Sequence, residues 1–192
     1  MSNEVLKVYK LVKLKKDGKC YPLFIDKDRA FEFGEWMHCE YHPTKGFAPR
    51  SIEGDELIGG WHCCFQPVAP HLSEELANGE KRVWLECEAK GSTQKYDRSE
   101  SQGGAWLLVE YLKPLRVMPY EEVRVLQEDY IREFVHTGWT SMNGTGIRGT
   151  IVPRCYKETI AKIWNVDLNK KVEVTDPYYF CEKDGDLWFC WE

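Results

Sequence analysis

Nowhere in these 192 residues does an apolar run approach the roughly 20 residues that span a bilayer. The opening stretch, MSNEVLKVYKLVKLKK, holds no apolar core of the signal-peptide kind. These two lacks lead us to expect a cytoplasmic protein with no membrane partner. Excess positive charge is also missing. The net charge is −5, which removes any bulk attraction to nucleic acid or anionic lipid. A local basic patch survives between Lys7 and Lys19, and its bland reading is a solvated strand face with a turn. Repeats and low-complexity segments are absent. So is the C-x2-C pair that marks structural zinc sites, although there are eight cysteines. Without a secretion signal, reduced thiols are the expectation.

What is present is apolar and aromatic. Hydrophobic residues make up 43% of the chain, with eight Trp, ten Tyr and eight Phe. That is enough to bury a core, so wholesale disorder is excluded. VLKVYKLVKL (5–14) favours a strand, Asp17-Gly18 a tight turn, and CYPLFI (20–25) the returning strand. Residues 26–60 are punctuated by Gly and Pro and predict loop with short turns of helix. A strand at 61–66 follows, then helical turns in PHLSEELANGE with Ser73 as N-cap and Gly79 as stop.

RVWLECEAK (82–90) alternates as a strand. GSTQKYDRSESQGG (91–104) reads as a long polar loop, and AWLLVEYL as a buried strand broken at Pro114. Beyond Pro119 the spacing of Val123, Leu126, Tyr130 and Phe134 predicts a helix, with a strand through EEVRVLQ competing. PRCYKETIAKIW is a second helix. YYFCEKDGDLWFCWE is a hairpin turning at Asp184-Gly185. Its register sets Phe180 against Phe189 and Cys181 against Trp188, which argues against a simple Cys181–Cys190 disulfide. The fold class expected is α+β. An antiparallel β-rich main domain, 1–118, carries a smaller helix-plus-hairpin part, 119–192, packed on it.

The chemistry concentrates in GGWHCCFQP (59–67). Strand parity sends Trp61, Cys63 and Phe65 to the core, leaving His62, Cys64 and Gln66 on the other face. A zinc site could be assembled from Cys39, His42, His62 and Cys64, giving a zinc-stabilised binding module. The missing knuckle and Pro43 after His42 weigh against it, so no metal is the first expectation. A thiol nucleophile would need Cys64, which alone shares a face with His62. The remaining cysteines, Cys63, Cys87, Cys155 and Cys190 above all, read as small hydrophobes. GTGIRG (144–149) matches a dinucleotide fingerprint in letters, but TIVPR follows it where a helix is required. It is either a loop that contacts a ligand or partner, or a solvated connection. The polar loop delivers Tyr96, Asp97, Arg98, Glu100 and Gln102 beside the His62 strand, either as a cleft or as a solvated acidic loop. Trp36, Trp61, Trp106 and Trp139 are candidate interface anchors, or core.

Residues 5–118 resemble the ADP-ribosyltransferase family. GWHCCF stands where that family has a glycine-aromatic-tyrosine strand, and WLLVEYLKPLRVMP resembles its closing strand. The resemblance implies NAD as cofactor and Glu100 as the catalytic carboxylate, with His62 and Gln102 positioning ribose or amide. The family's first strand carries a His or Arg for NAD; here VYKLVK offers Tyr9 and Lys10. The implied ligand-binding set is Tyr9, His62, Cys64 and Gln102. The whole chain also resembles small accessory proteins of phages and prophages, through YPLFID, PTKGFAPR and GWHCC…P…APHLS. That resemblance implies residence in a host cytoplasm and inhibition of a host defence system. Two functions are therefore expected in competition. The first is a binding protein that contacts a host protein or small nucleotide without a resident cofactor. The second is an NAD-using transferase.

Overall fold

A computed structural model describes residues 4–24, 26–39, 52, 56–72, 75–76, 78–138, 140–141, 148–173 and 176–191. The chain forms two compact units, Met1–Val123 and Arg124–Glu192. The fold is α+β, with a larger antiparallel sheet in the first unit and a smaller helix-and-hairpin sheet in the second. The boundary expected at 118/119 lies just upstream of this division, which falls inside a helix.

Among the described residues six strands build the first unit: β1 (Leu6–Leu14), β2 (Cys20–Tyr21), β3 (Met37–His38), β4 (Trp61–Cys64), β5 (Lys81–Tyr96) and β6 (Trp106–Val117). Their ladders close on themselves. β1 lies beside β5 from Leu6–Ala89 to Leu14–Lys81. β5 continues onto β6, β6 onto β4, and β4 returns to β1 through the pair Tyr9–Cys64. The result is a small barrel, with β2 and β3 added at the edges of β1 and β6. β5 serves both neighbours because it bends. Its register with β6 shifts at Glu86/Cys87 and again at Lys90/Thr93, as bulges bend a strand. Gly91 sits in the second shift at φ +82°, where a Cβ would come within 2.7 Å of Glu110 Oε2.

The alternation read from the sequence fills the barrel. Val8 and Val12 of β1, Cys63 of β4, Leu85 and Cys87 of β5 and Val109 of β6 are fully buried. Each large aliphatic side chain among them contributes about 1.5–3 kcal/mol through its burial. Lys10 shares their face. Its ammonium donates to the His62 carbonyl at 2.8 Å and lies 5.4 Å from the Trp61 ring and 5.9 Å from that of Phe31. That satisfies a cation which would otherwise be costly to bury. The lysine stretch is thus no single basic patch. Lys7 pairs with Glu86 at 2.7 Å and Lys13 with Glu80 at 3.5 Å, while Lys10 is interior.

Several local expectations need correction. The second strand stops at Tyr21, because Pro22 has no N–H to continue the ladder. No helical turn forms in the described part of 70–80. Leu76 N–H donates to the Glu80 carbonyl in a turn that leads into β5, and Ser73 lies outside the described residues. The loop expected at 91–104 is strand as far as Tyr96, where buried Gln94 and Tyr96 alternate with exposed Thr93 and Lys95. Pro114 does not break β6. It sits opposite Cys87 at the first register shift, where a missing N–H is tolerated.

The helix α1 (Tyr120–Thr137), in which the division falls, begins with Glu121 and Glu122 in its first turn, which suits the helix dipole. β7 (Thr140–Ser141), β8 (Arg148–Ile151), β9 (Tyr178–Lys183) and β10 (Asp186–Trp191) form a sheet of order β7-β8-β10-β9. α2 (Lys157–Trp164) follows a 3-10 turn at Arg154–Tyr156 and ends at Asn165 in the left-handed region. The hairpin register is the expected one, Phe180 with Phe189 and Cys181 with Trp188. Asp184 and Gly185 both have positive φ, as a type I′ turn demands. Phe189 is fully buried beneath Trp164 and Phe180, each at 5.2 Å. Most of GTGIRG, with Trp139, lies outside the described residues; its end, Arg148-Gly149, belongs to β8. Among the described residues no helix is long and apolar enough to cross a membrane.

Candidate functional site

Parity in β4 acts as the sequence requires. Trp61 and Cys63 point into the barrel, and the Trp61 indole N–H donates to the Met37 carbonyl at 2.9 Å. His62 and Cys64 point outward, but outward is not solvent. Gln94 accepts from Ile58 N–H at 2.7 Å and donates to the Glu56 carbonyl at 3.0 Å, which pins this segment beside β5. Val68 and Ala69 are buried as well. Cys64 and Tyr96 are consequently buried too, Tyr96 completely.

His62 Nδ1 and the Tyr96 hydroxyl share a hydrogen bond of 2.6 Å, with the rings edge to face at 89°. Burial, with the Lys10 and Arg98 charges behind it, pushes the imidazole down to about 3. Burial pushes the Tyr96 phenol up. Both groups are therefore neutral at pH 7, and their bond is between uncharged partners. Burial also lifts the Cys63 thiol to about 11 and the Cys64 and Cys87 thiols well above their ordinary range. A thiol held protonated is a poor nucleophile.

Above this floor lies Arg98. Its guanidinium carbon is 5.5 Å from the Tyr96 ring centre and 5.4 Å from that of Trp106. Nη1 donates to Gln102 Oε1 at 3.3 Å, and the Trp106 indole N–H donates to the Gln102 carbonyl at 3.0 Å. Gln102 thus ties the arginine and the indole to one turn, the 3-10 turn Glu100–Gln102 that joins β5 to β6. Gly103 closes that turn at φ +96°. A Cβ there would come within 2.2 Å of the Val68 carbonyl oxygen. Exposed His71 stands 6.2 Å from the Trp106 ring, and burial together with the Arg98 and Arg82 charges lowers its affinity for a proton. Among the described residues no carboxylate pairs with Arg98, and its Nε is buried without a hydrogen-bond partner.

The residues expected to share a site are distributed as follows. His62 and Cys64 lie side by side on β4, and Gln102 joins them through Arg98 and Tyr96. Glu100 is exposed at the first position of the turn. Tyr9 is buried at the barrel closure, opposite Cys64, with Lys7 over its ring. Cys39 belongs to the barrel interior, on the opposite side of the sheet from His62 and Cys64, and His42 lies outside the described residues. Among the described residues no three His, Cys, Asp or Glu side chains come together as a metal site would need. Cys155, expected as a packed hydrophobe, is exposed. Trp61 is core, Trp36 is half-buried under Lys90 at 4.1 Å, and Trp106 is half-buried in the site.

Sequence reading missed His71 and the weight of Arg98. The available signal was parity: extending β5 to Tyr96 would have stacked Gln94 and Tyr96 behind His62. Compared with known proteins, the chain matches no family model, no curated protein and no solved structure.

Proposed function

We propose that the first unit is a binding module for a small phosphate-bearing ligand, a nucleotide in the first instance. The observation that carries this is Arg98, a guanidinium held over two aromatic rings with no carboxylate partner among the described residues. Arginine's planar fork suits phosphate oxygens. The half-buried Trp106 offers a face on which a base can stack, and His71 adds a donor at the rim. The neutral His62–Tyr96 pair and the protonated thiols supply shape and hydrogen bonds rather than a charged base or nucleophile, which favours binding over thiol chemistry. In the phage–host setting that the resemblance implies, withholding such a ligand from a host defence system would be the mode of action.

The test is calorimetric titration of the full chain with nucleoside mono-, di- and triphosphates, NAD and inorganic phosphate. Arg98→Ala should weaken the binding roughly 10- to 100-fold, the range for losing a charge-assisted hydrogen bond, with an unchanged far-ultraviolet spectrum. Absence of binding by every member of the panel would sink the proposal. NAD has a particular place in it, because Glu100 opens the turn just before β6. NAD turnover that Glu100→Gln abolishes would favour the transferase instead.

A further inference from the structure

We infer that Cys181 and Cys190 form a reversible oxidation site, which closes as a disulfide across the C-terminal hairpin when a low-molecular-weight disulfide is the oxidant. The hairpin register offsets the two residues. Cys181 faces Trp188, and Cys190 faces Tyr179. Strand twist nevertheless brings one diagonal of an antiparallel pair together, and here the two sulfurs are 3.2 Å apart. The register read from the sequence is the one found, and both thiols are free, yet the offset leaves the two sulfurs within reach of each other.

The β8 backbone packs closely beside the buried sulfur. Residue 149, opposite Cys190 on β8, is glycine; a Cβ there would come 3.4 Å from the Cys190 sulfur and 2.7 Å from the Phe189 carbonyl oxygen. Access is asymmetric, because Cys190 is fully buried and Cys181 is partly exposed.

That asymmetry sets the order of steps. The Cys181 thiol loses its proton to solvent, and its sulfur attacks one sulfur of the oxidant. The oxidant's S–S bond breaks, and half of it leaves as a thiol after taking up a proton. Cys190 then loses its proton and attacks the Cys181 sulfur, expelling the second half as a thiol. Two protons and two electrons pass to the oxidant, and one protein S–S bond forms. Excess dithiol reverses the sequence. Burial and, after it, the hydrogen bond to Cys181 hold the Cys190 thiol up at about 12. The bond would tie β9, an edge strand, covalently to β10.

The experiment is incubation of the reduced full chain with oxidised glutathione under native conditions, followed by non-reducing digestion and mass mapping. The expected product is a Cys181–Cys190 cross-link with loss of two hydrogens, reversed by dithiothreitol. Exposed Cys155 serves as the internal control for simple accessibility and should carry at most a glutathione adduct. Cys181→Ser changes only a partly exposed position and should leave Cys190 unmodified. A stable glutathione adduct on Cys181 without a cross-link, scrambled cross-links, or no reaction at either residue would each overturn the inference.

Discussion

The Tyr96 hydroxyl meets His62 Nδ1 at 2.6 Å, and this single bond joins β5 to β4 beneath Arg98. Both side chains point away from the barrel interior, yet Tyr96 is completely buried. The pair is thus a polar floor in a second, outer core, and its loss has a calculable cost. Tyr96→Phe removes the hydroxyl and leaves the nitrogen of a half-buried imidazole without its partner. We expect the substitution to destabilise the protein by about 1–3 kcal/mol, the penalty for an unsatisfied buried polar group. Urea unfolding measures it, and an unchanged midpoint would mean that the bond does not form.

Acid should act through the same histidine. Its folded-state affinity for protons is pushed down to about 3, while in the unfolded chain it titrates near 6.5. Between those values the unfolded state binds more protons, so stability falls as pH falls. The contribution of His62 is complete above about 6.5 and drains toward 3, by at most ~1.4 kcal/mol for each pH unit. Glu86 and Glu128, whose carboxyls are held low by ion pairs, add their loss only further down. The window from about 6.5 to 4.5 therefore belongs chiefly to His62, with a share from His71, whose proton affinity is also lowered. His62→Gln should flatten that limb of a stability–pH curve, and a wild-type curve already flat there would refute the assignment.

Gly103 is the backbone hinge of the Arg98 turn. A side chain at φ +96°, aimed within 2.2 Å of the Val68 carbonyl, forces either the turn or the 66–69 segment to move. Gly103→Ala should cost about 3 kcal/mol and weaken ligand binding alongside Arg98→Ala. Gly79→Ala provides the comparison. Its φ is +77°, but nothing lies within 4 Å of the added carbon, so it should show backbone strain alone and leave binding intact.

Native thiol labelling should sort the eight cysteines. Cys155 is the exposed one and should react first with a small disulfide reagent at pH 8, followed by Cys181. Cys63, Cys64 and Cys87 are buried, with thiols held up by that burial, and should react only after denaturant is added. Rapid native labelling of Cys64 would show that the outer core opens.

Much of the fold was legible because it rests on local rules. The two-residue turn at Asp184-Gly185 sets the hairpin register without help from the rest of the chain. The period of two in RVWLECEAK put Leu85 and Cys87 on the core face. Where neighbours outvote local propensity, the reading failed. Ser92, Gln94 and Tyr96 look like loop residues until β6 runs beside them, and Pro114 looks like a break until a register shift accommodates it. Cys155 looked like a packed hydrophobe and is exposed, since a short helical stretch leaves the facing of each residue to its tertiary neighbours.

GGWHCCFQP shows the division most clearly. The sequence by itself determined which side chains share a face, because adjacent residues on a strand point to opposite sides. Trp61 and Cys63 went to the barrel interior on that ground alone. Whether the other face meets water, a ligand or more protein is set by residues distant in the chain. Gln94 pins the 56–58 segment, Tyr96 seals His62, and Arg98 is carried over them by a turn that Gly103 permits. Only the tertiary structure could decide that, because burial belongs to the packed assembly and not to any one strand.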